Sequence, residues 1–497
     1  MAIPTASYAI TIRLEVPADA EAVGRLTTAV GQAGGVVTAL DVTDSQRDRI
    51  VVDVTCSASD QEHAEQLPEA LKAIDGVTIQ KVSDRTFLLH LGGKIEVTSK
   101  VPLRTRDDLS MAYTPGVARV CMAIAEEPED ARRLTIKRNT VAVVTDGSAV
   151  LGLGNIGPAA ALPVMEGKAA LFKRFADIDA WPVCLDTQDV DEIVRTVQLL
   201  APVYGGINLE DIAAPGCFEV ERRLRDLLDI PVFHDDQHGT AIVVLAALTN
   251  ALRVVGKELS DVRIVVSGAG AAGSAITRLL LEAGNEKLVL CDIGGVVHSG
   301  RPDLDPNRAE LAERTNPDGL TGSLKEALAG ADVFIGVSAP NILDGDDIAT
   351  MADGAIVFAL ANPIPEVDPA AARRSAAVVA TGRSDEPNQI NNVLAFPGVF
   401  RGLLDAGARG IDLATEAAAA DALARVLAPE QVNASFIVPS VFNPDVTEVV
   451  ADAVRRTVRA RADDGGTGTT RSAVVDQVEM PTAGDVRQRE GTLTCRC

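Results

Sequence analysis

Two adjacent carboxylates, Asp235 and Asp236, stand in the stretch IPVFHDDQHGTAIVVLAAL (230–248), between a strand-like apolar run and a helix-like one. No Lys or Arg lies in that window to pair with them. Ionised carboxylates are costly to bury unless they are paired, hydrogen-bonded or bound to a metal. An Asp at a helix N-cap accepts orphan backbone N–H groups and suits the positive end of the dipole. Capping accounts for one of the two and leaves the other unexplained. A second acidic pair, Glu210 and Asp211, follows the apolar run in APVYGGINLEDIAAPGCFEV, at an expected strand end, where α/β sheets place ligands. Two acidic pairs at successive strand ends, with no cysteine beside them, fit a hard divalent cation on oxygen ligands, magnesium or manganese. The rival is zinc on His234 and His238, an i,i+4 pair. It is disfavoured because the chain has five histidines, two carboxylates intervene and no third soft ligand is near.

A lysine adds proton chemistry. In EGKAALFKRFA, Lys168 falls on the helical face of Leu171, Phe172 and Phe175, while Lys173 and Arg174 point elsewhere. Such a lysine either snorkels to water or, if sealed from it, has its pKa lowered by desolvation and becomes a usable base. Gly167 beside it would let a substrate approach the helix closely.

Two glycine motifs compete for a cofactor. VRIVVSGAGAAGSAITRLLLEAGNEKLVLCD carries Gly268, Gly270 and Gly273 between a short apolar strand and a helix, and its second strand ends in Asp292. Gly268 permits the tight turn, Gly270 admits a pyrophosphate to the helix N-terminus, and Gly273 allows helix–strand contact. Asp292 lies at the spacing expected for the ribose hydroxyls. The other motif, TDGSAVLGLGNIGPAAAL, spells the same pattern at Gly152, Gly154 and Gly157, but the Asp146-Gly147 dipeptide reads as a hairpin turn. Pro158 suits the first position of a helix. This motif is either tight packing in a turn or a glycine floor under the nicotinamide end.

These residues need elements to hold them. A chain of 497 residues suggests two or three domains. Residues 7–90 alternate as βαββαβ, the ferredoxin-like order, and from about Ile95 strands alternate with helices to residue 440, as in α/β layers with largely parallel sheets. No apolar run approaches a membrane span, and the N-terminus shows no secretory pattern. Seven cysteines, mostly isolated in apolar segments, point to reduced thiols and the cytoplasm. Cys495 and Cys497 close a polar tail from Asp463 whose composition suggests disorder. A net charge of −24 argues against nucleic acid as a partner.

Taken together, DLSMAYTPGVARVC, TDGSAVLGLGNIGPAAALPVMEGKAALFKRFADIDAWPVCLDT, NLEDIAAPGCFEVE, IPVFHDDQHGTA, ALANPIPE and NQINNVLAFPG resemble the signatures of the bacterial malic enzymes, in that family's order, from about Lys94 to Ala460. The N-terminal unit resembles an ACT domain by topology. The resemblance implies three units and a tail: an ACT-like regulatory domain (1–92), a malic substrate and metal domain (93–240), a Rossmann NAD-binding domain with a C-terminal helix (241–462), and the tail (463–497). It implies Tyr113 as general acid, Lys168 as general base, and Glu210, Asp211 and Asp236 as metal ligands, with Asp235 supporting the site. Asn362 and Asn392 would hydrogen-bond the substrate. The dinucleotide would lie on Gly268, Ala269, Gly270, Ala271, Ala272, Gly273 and Asp292. Val150, Leu151, Gly152, Leu153, Gly154, Asn155, Ile156 and Gly157 would line the cofactor side. Larger-subunit relatives have an arginine in the TDG loop where this chain has Ala149.

The implied reaction is oxidative decarboxylation of malate. Lys168 takes the hydroxyl proton as hydride leaves for the nicotinamide, the metal polarises the new carbonyl while carbon dioxide departs, and Tyr113 protonates the enol to give pyruvate. Asp292 followed by Ile293-Gly294-Gly295 offers a carboxylate for the ribose hydroxyls and no immediate cation for a 2′-phosphate, so NAD is expected over NADP, although Arg301 could fold back. A homodimer or higher oligomer, and a small-molecule effector at residues 1–92, are further expectations. Two other readings stay open: a hydroxy-acid dehydrogenase that releases no carbon dioxide, and a non-catalytic sensor.

Overall fold

The computed structural model describes residues 4–150 and 152–464. The expectation for Leu151, and those for Cys495, Cys497 and the tail from Gly465, lie outside the described residues. The first segment forms β1 (Thr5–Pro17), α1 (Ala22–Gln32), β2 (Val36–Ser45), β3 (Arg49–Ala58), α2 (Gln61–Lys72) and β4 (Thr78–Asp84). The strands pair antiparallel in the order β2-β3-β1-β4. Alternate residues of β1, Ile10, Ile12, Leu14 and Val16, are buried against Leu26 and Val30 of α1 and Leu67 and Leu71 of α2. Period two on the strand meets period 3.6 on the helices, and each element hides one face.

Four short helices lead to the second sheet: α3 (Arg85–His90), α4 (Arg106–Ala112), α5 (Val117–Glu126) and α6 (Asp130–Leu134). The sheet comprises β5 (Thr140–Thr145), β6 (Asp179–Cys184), β7 (Gly206–Leu209) and β8 (Val232–His234), all parallel, in the order β6-β5-β7-β8. Helices α7 (Pro158–Ala176), α8 (Val190–Leu200) and α9 (Gly216–Leu227) connect them. The strand order reverses beside β5, which makes the carboxyl ends of β5, β7 and β8 the natural place for a ligand.

The expected hairpin after β5 is not there. Asp146-Gly147 leaves a fully buried strand that pairs in parallel on both sides. The turn forms instead within the glycine loop, where Val150 donates to the Gly154 carbonyl and both Ile156 and Gly157 donate to that of Gly147. A DG dipeptide specifies a hairpin only when a partner strand follows, and here the following chain enters α7.

A single π-helical turn, Asp235–Gly239, runs into α10 (Thr240–Val255). This continuous helix is long and apolar enough to cross a membrane, contrary to the expectation from apolar runs, but 72% of its apolar window is buried inside the fold. A core helix of a water-exposed protein passes the same test of length and composition. Beyond it lies a third sheet of β9 (Ile264–Ser267), β10 (Leu288–Asp292), β11 (Gly295–Val296), β12 (Val333–Gly336), β13 (Ile356–Ala359) and β14 (Val378–Thr381). Its order is β11-β10-β9-β12-β13-β14, parallel except for β11, the doubly wound arrangement. Helices α11 (Ala271–Glu282), α12 (Pro306–Arg314), α13 (Leu324–Leu328), α14 (Gly345–Ile348) and α15 (Pro369–Ala372) accompany it. Helices α16 (Phe396–Ala406), α17 (Leu413–Ala424) and α18 (Asp445–Asp464) close the chain.

One continuous core joins the second and third sheets, from Val141 and Val143 of β5 to Ile264 and Val266 of β9. At its centre Phe172, Phe233, Phe396 and Phe400 pack edge-to-face, with ring centroids 4.7 to 5.6 Å apart, the separation at which aromatic quadrupoles attract. Phe172 belongs to α7, so the helix carrying Lys168 is clamped at this junction.

Candidate active site

Lys168 lies on the inner face of α7 with Met165, Ala169 and Phe172, and its side chain is 7% exposed. It does not snorkel. Its Nζ is 2.5 Å from Asp235 Oδ2 and 2.9 Å from Glu210 Oε1, and it sits 4.3 Å from the centroid of the Phe396 ring. Burial works against the ammonium, but the two carboxylates outweigh it, and the Lys168 pKa rises above the ordinary lysine value. Desolvation alone implied a lowered value; periodicity along α7 could not show that anions from two other elements meet it.

The carboxylates come from strand ends. Glu210 follows β7 and takes a hydrogen bond from Asn208 Nδ2 at 2.8 Å. Asp211 adopts a left-handed φ of 54°, sparsely populated by non-glycine residues, tolerated by Asp and common at functional sites. Asp235 and Asp236 open the π-helical turn after β8. Asp235 is fully buried and takes a hydrogen bond from Asn392 Nδ2 on the same oxygen that faces Lys168. Gly239 makes room for it, since a Cβ there would stand 2.0 Å from Asp235 Oδ1. Asp236 Oδ2 accepts the Asp211 backbone N–H at 2.8 Å. Thus the paired carboxylates divide: Asp235 turns to Lys168 and Asp236 turns to Asp211.

Glu210, Asp211 and Asp236 each offer an oxygen within 4.8 Å of the others. Burial, with the Asp236 charge as a further raising influence, pushes the Glu210 carboxyl up to about 7, although Lys168 pulls the other way. Burial and the neighbouring Asp235 push Asp236 up to about 6. The crowding that disfavours the ionised forms of Glu210 and Asp236 is relieved by a divalent cation, and the three oxygen donors suit magnesium or manganese. Zinc on the histidines finds no support: among the described residues the group placed to hold a metal is Glu210, Asp211 and Asp236, with no histidine in it. His234 is fully buried and its pKa is pushed down to about 4 by that burial. His238 is held between Glu221 (Nε2 to Oε1, 2.8 Å) and Glu416 (Nδ1 to Oε1, 3.0 Å).

Glu221 and Glu416 escaped the reading of the sequence. Each carried the signal that exposed Lys168: Glu221 shares the buried face of α9 with Cys217, Val220 and Leu224, and Glu416 that of α17 with Ala419, Ala420 and Leu423. Glu221 also accepts from Gln237 at 3.0 Å. These contacts pin His238, one turn from the acidic pair, to two helices.

The glycine turn at β9–α11 has the form expected of it. A Cβ on Gly268 would meet the Val337 carbonyl oxygen at 2.5 Å, and one on Gly273 would meet that of Gly268 at 1.7 Å. Gly270, at the helix N-cap, has open space around it, the room a pyrophosphate needs. Ala269, Gly270 and Asp292 line one cavity. The other motif serves packing at one position at least: a Cβ on Gly152 would stand 2.5 Å from the Asn362 carbonyl oxygen. Gly152 to Ile156 are exposed, beside exposed Asn362.

Two placements bear on the sequence reading, and in the first Arg301 folds back onto Asp292 as that reading allowed. Asp292 does have cations at hand: Arg301 Nη1 and Arg308 Nη1 each stand 2.6 Å from one of its oxygens. Arg308 lies sixteen residues on in sequence, on a helix whose approach to Asp292 no spacing rule predicts. Tyr113 is 67% exposed at the C-terminus of α4, and none of its described contacts reaches Lys168 or the carboxylates.

Family models match this chain over residues 92–225 ("Malic enzyme, N-terminal domain") and 237–459 ("Malic enzyme, NAD binding domain"). It is 56% identical to an NAD-dependent malic enzyme of Geobacillus stearothermophilus over 469 residues, which are 93% of this chain and 98% of the relative. It is 53% identical to a bifunctional malic/malolactic enzyme of Bacillus subtilis, covering 76% of this chain and 93% of that one. The crystal structure of an NAD-dependent malic enzyme from Thermotoga maritima superposes with a TM-score of 0.73 at 48% identity, covering 75% of this chain and 99% of the other.

Asp236→Asn keeps the hydrogen bond to the Asp211 N–H but removes a charged oxygen donor. Calorimetric titration with manganese is expected to show affinity weakened by about tenfold or more, with the melting transition of the metal-free protein within a few degrees of the parent. Unchanged manganese affinity would remove Asp236 from the ligand set.

Proposed function

The chain belongs to the malic enzyme family, and on that footing we propose how its residues divide the work. The enzyme converts malate to pyruvate and carbon dioxide with reduction of NAD(P), NAD being preferred, and requires a divalent metal. The convergence of Glu210, Asp211 and Asp236 next to the Lys168–Asp235 pair carries this reading, because oxidation followed by loss of carbon dioxide needs a cation site and a proton carrier side by side. A bound cation supplies Lewis acidity and a bound nicotinamide accepts hydride. Lys168 exchanges a proton with the substrate's C2 oxygen; the charged form, which the two carboxylates favour, is the one it takes after accepting that proton. Asp235 and Glu210 fix the ammonium in place, and Asn392 fixes Asp235. Asn362 and Asn392 are assigned to the substrate, residues 150–157 to the cofactor side, and Gly268 to Gly273 with Asp292 to the dinucleotide.

Tyr113 is assigned the return of a proton to C3 of the enol. Its arm of the chain exposes Leu91, Val97, Leu103, Leu109, Met111 and Met122 as well, an apolar run of the kind that marks an interface. The occupant we assign to that surface is a second copy of this chain, each Tyr113 completing the other copy's site. Residues 1–92 are read as the ACT-like unit, a ligand-responsive or structural module, 93–240 as the malic unit and 241–462 as the nucleotide-binding unit. The cytoplasm is the proposed location.

Incubation with malate, manganese and NAD is expected to yield reduced cofactor and pyruvate in equal amounts. Reduced cofactor without pyruvate would favour the plain dehydrogenase, and neither product would favour the sensor. Lys168→Ala and Tyr113→Phe are each expected to lose nearly all activity. Unfolded and refolded together, the two variants should regain about a quarter of parental activity, because half of the pairs then hold one intact site. No recovery in mixed pairs would place both residues in one chain's site. A chain starting at Leu91 should keep its cofactor and metal dependence while losing any response to an amino-acid panel. An identical response with and without residues 1–90 leaves that unit a structural role.

A further inference from the structure

The end of β10 holds more charge than a ribose needs. Asp292 is nearly buried, with Arg301 on Oδ1 and Arg308 on Oδ2. Arg301 is fully committed, since its Nε and Nη2 go to Asp303. Arg308 is not. Its Nε donates to Asp305 Oδ2 at 2.6 Å and its Nη1 to Asp292, but Nη2 has no hydrogen-bond partner among the described residues. Arg308, Asp292 and Asp305 line the same cavity of about 300 Å³ as Ala269 and Gly270 of the glycine turn. The groups expected at pyrophosphate and ribose therefore share one space with a guanidinium that retains donors.

The charges there are unequal: Asp292, Asp303 and Asp305 face Arg301 and Arg308, three anions against two cations. A neutral ribose diol enters such a rim without penalty, and Asp292 still has lone pairs to accept its hydroxyls. A 2′-phosphate adds roughly two negative charges and must draw Arg308 away from carboxylates that already hold it.

We infer that Arg308 is a latent 2′-phosphate site and that Asp292 and Asp305, by keeping it engaged, set the preference for NAD over NADP. Arg308 is then the specificity-determining residue, acting at the far end of the cofactor from the chemistry. The inference rests on the assignment of the β9–α11 turn to the dinucleotide. Asp305 makes it testable with little structural damage, because Asp305 caps α12 through the Arg308 backbone N–H and Asn caps as well as Asp.

The test is calorimetric binding of ADP-ribose and of its 2′-phosphate, neither of which can turn over. The parent should bind ADP-ribose about tenfold or more tightly than the phosphorylated form. Asp305→Asn should narrow that ratio at least about fivefold, chiefly by tightening the phosphorylated ligand, as Arg308 gains a free donor. Adding Arg308→Gln should abolish the gain, and the NADP-to-NAD ratio of kcat/KM should follow the same order. An equal change for both ligands in Asp305→Asn, or a gain that survives Arg308→Gln, would overturn the inference. Failure of the parent to bind either ligand would instead overturn the dinucleotide assignment on which it rests.

Discussion

The arrangement depends on one buried cation. Lys168 sits where water cannot reach it, and an unpaired ammonium there would be intolerably costly, so two carboxylates from separate strands must converge on it. That requirement fixes β7 against β8 at their carboxyl ends, holds α7 by its inner face and draws Asn392 from beyond the third sheet onto Asp235. The same carboxylates are then too many for one lysine. Glu210 and Asp236 are left with pKa values far above the usual carboxylate range, and the surplus is what invites a divalent cation. The proposed proton carrier and the proposed metal site would thus both arise from the same crowding of charge. Breaking a buried pair by removing one partner typically costs about 3–5 kcal/mol, so the geometry resists drift.

The helix from Asp235 to Val255 carries this constraint into the rest of the fold. Its first turn holds the acidic pair, and its body lies in the core shared by the second and third sheets. Glu221, His238 and Glu416 tie that first turn to α9 and α17. The π-helical turn is where the register of the helix slips to let Asp235 and Asp236 face different partners, a use typical of such turns at functional sites. A boundary between catalytic and nucleotide-binding units drawn at residue 240 therefore falls inside a continuous helix, and the two units meet through it rather than through a linker.

Much of this was legible in the sequence because it is local. The βαββαβ order of the first segment, the glycine turn before Asp292, the acidic pairs at strand ends and the odd placement of Lys168 on an apolar face all follow from periodicity and spacing within about thirty residues. What was illegible is what depends on long-range approach. The charged state of Lys168 is set by residues 42 and 67 positions away, Arg308 joins Arg301 at Asp292 from the helix beyond the next loop, and Tyr113 is exposed, with none of its described contacts reaching the carboxylates. Glu221 and Glu416 form an intermediate case. A carboxylate on an apolar helix face is as anomalous as a lysine there, but it stands out less in a chain with 70 acidic residues.

The central claim is that Glu210, Asp211 and Asp236 form one preformed cation site beside Lys168. Anomalous diffraction from crystals of the protein soaked in manganese tests it most directly. A single strong anomalous peak bounded by these three carboxylates, with Lys168 and Asp235 still paired next to it, is the result expected. A peak at other residues, or a manganese site that Lys168 does not adjoin, would contradict it.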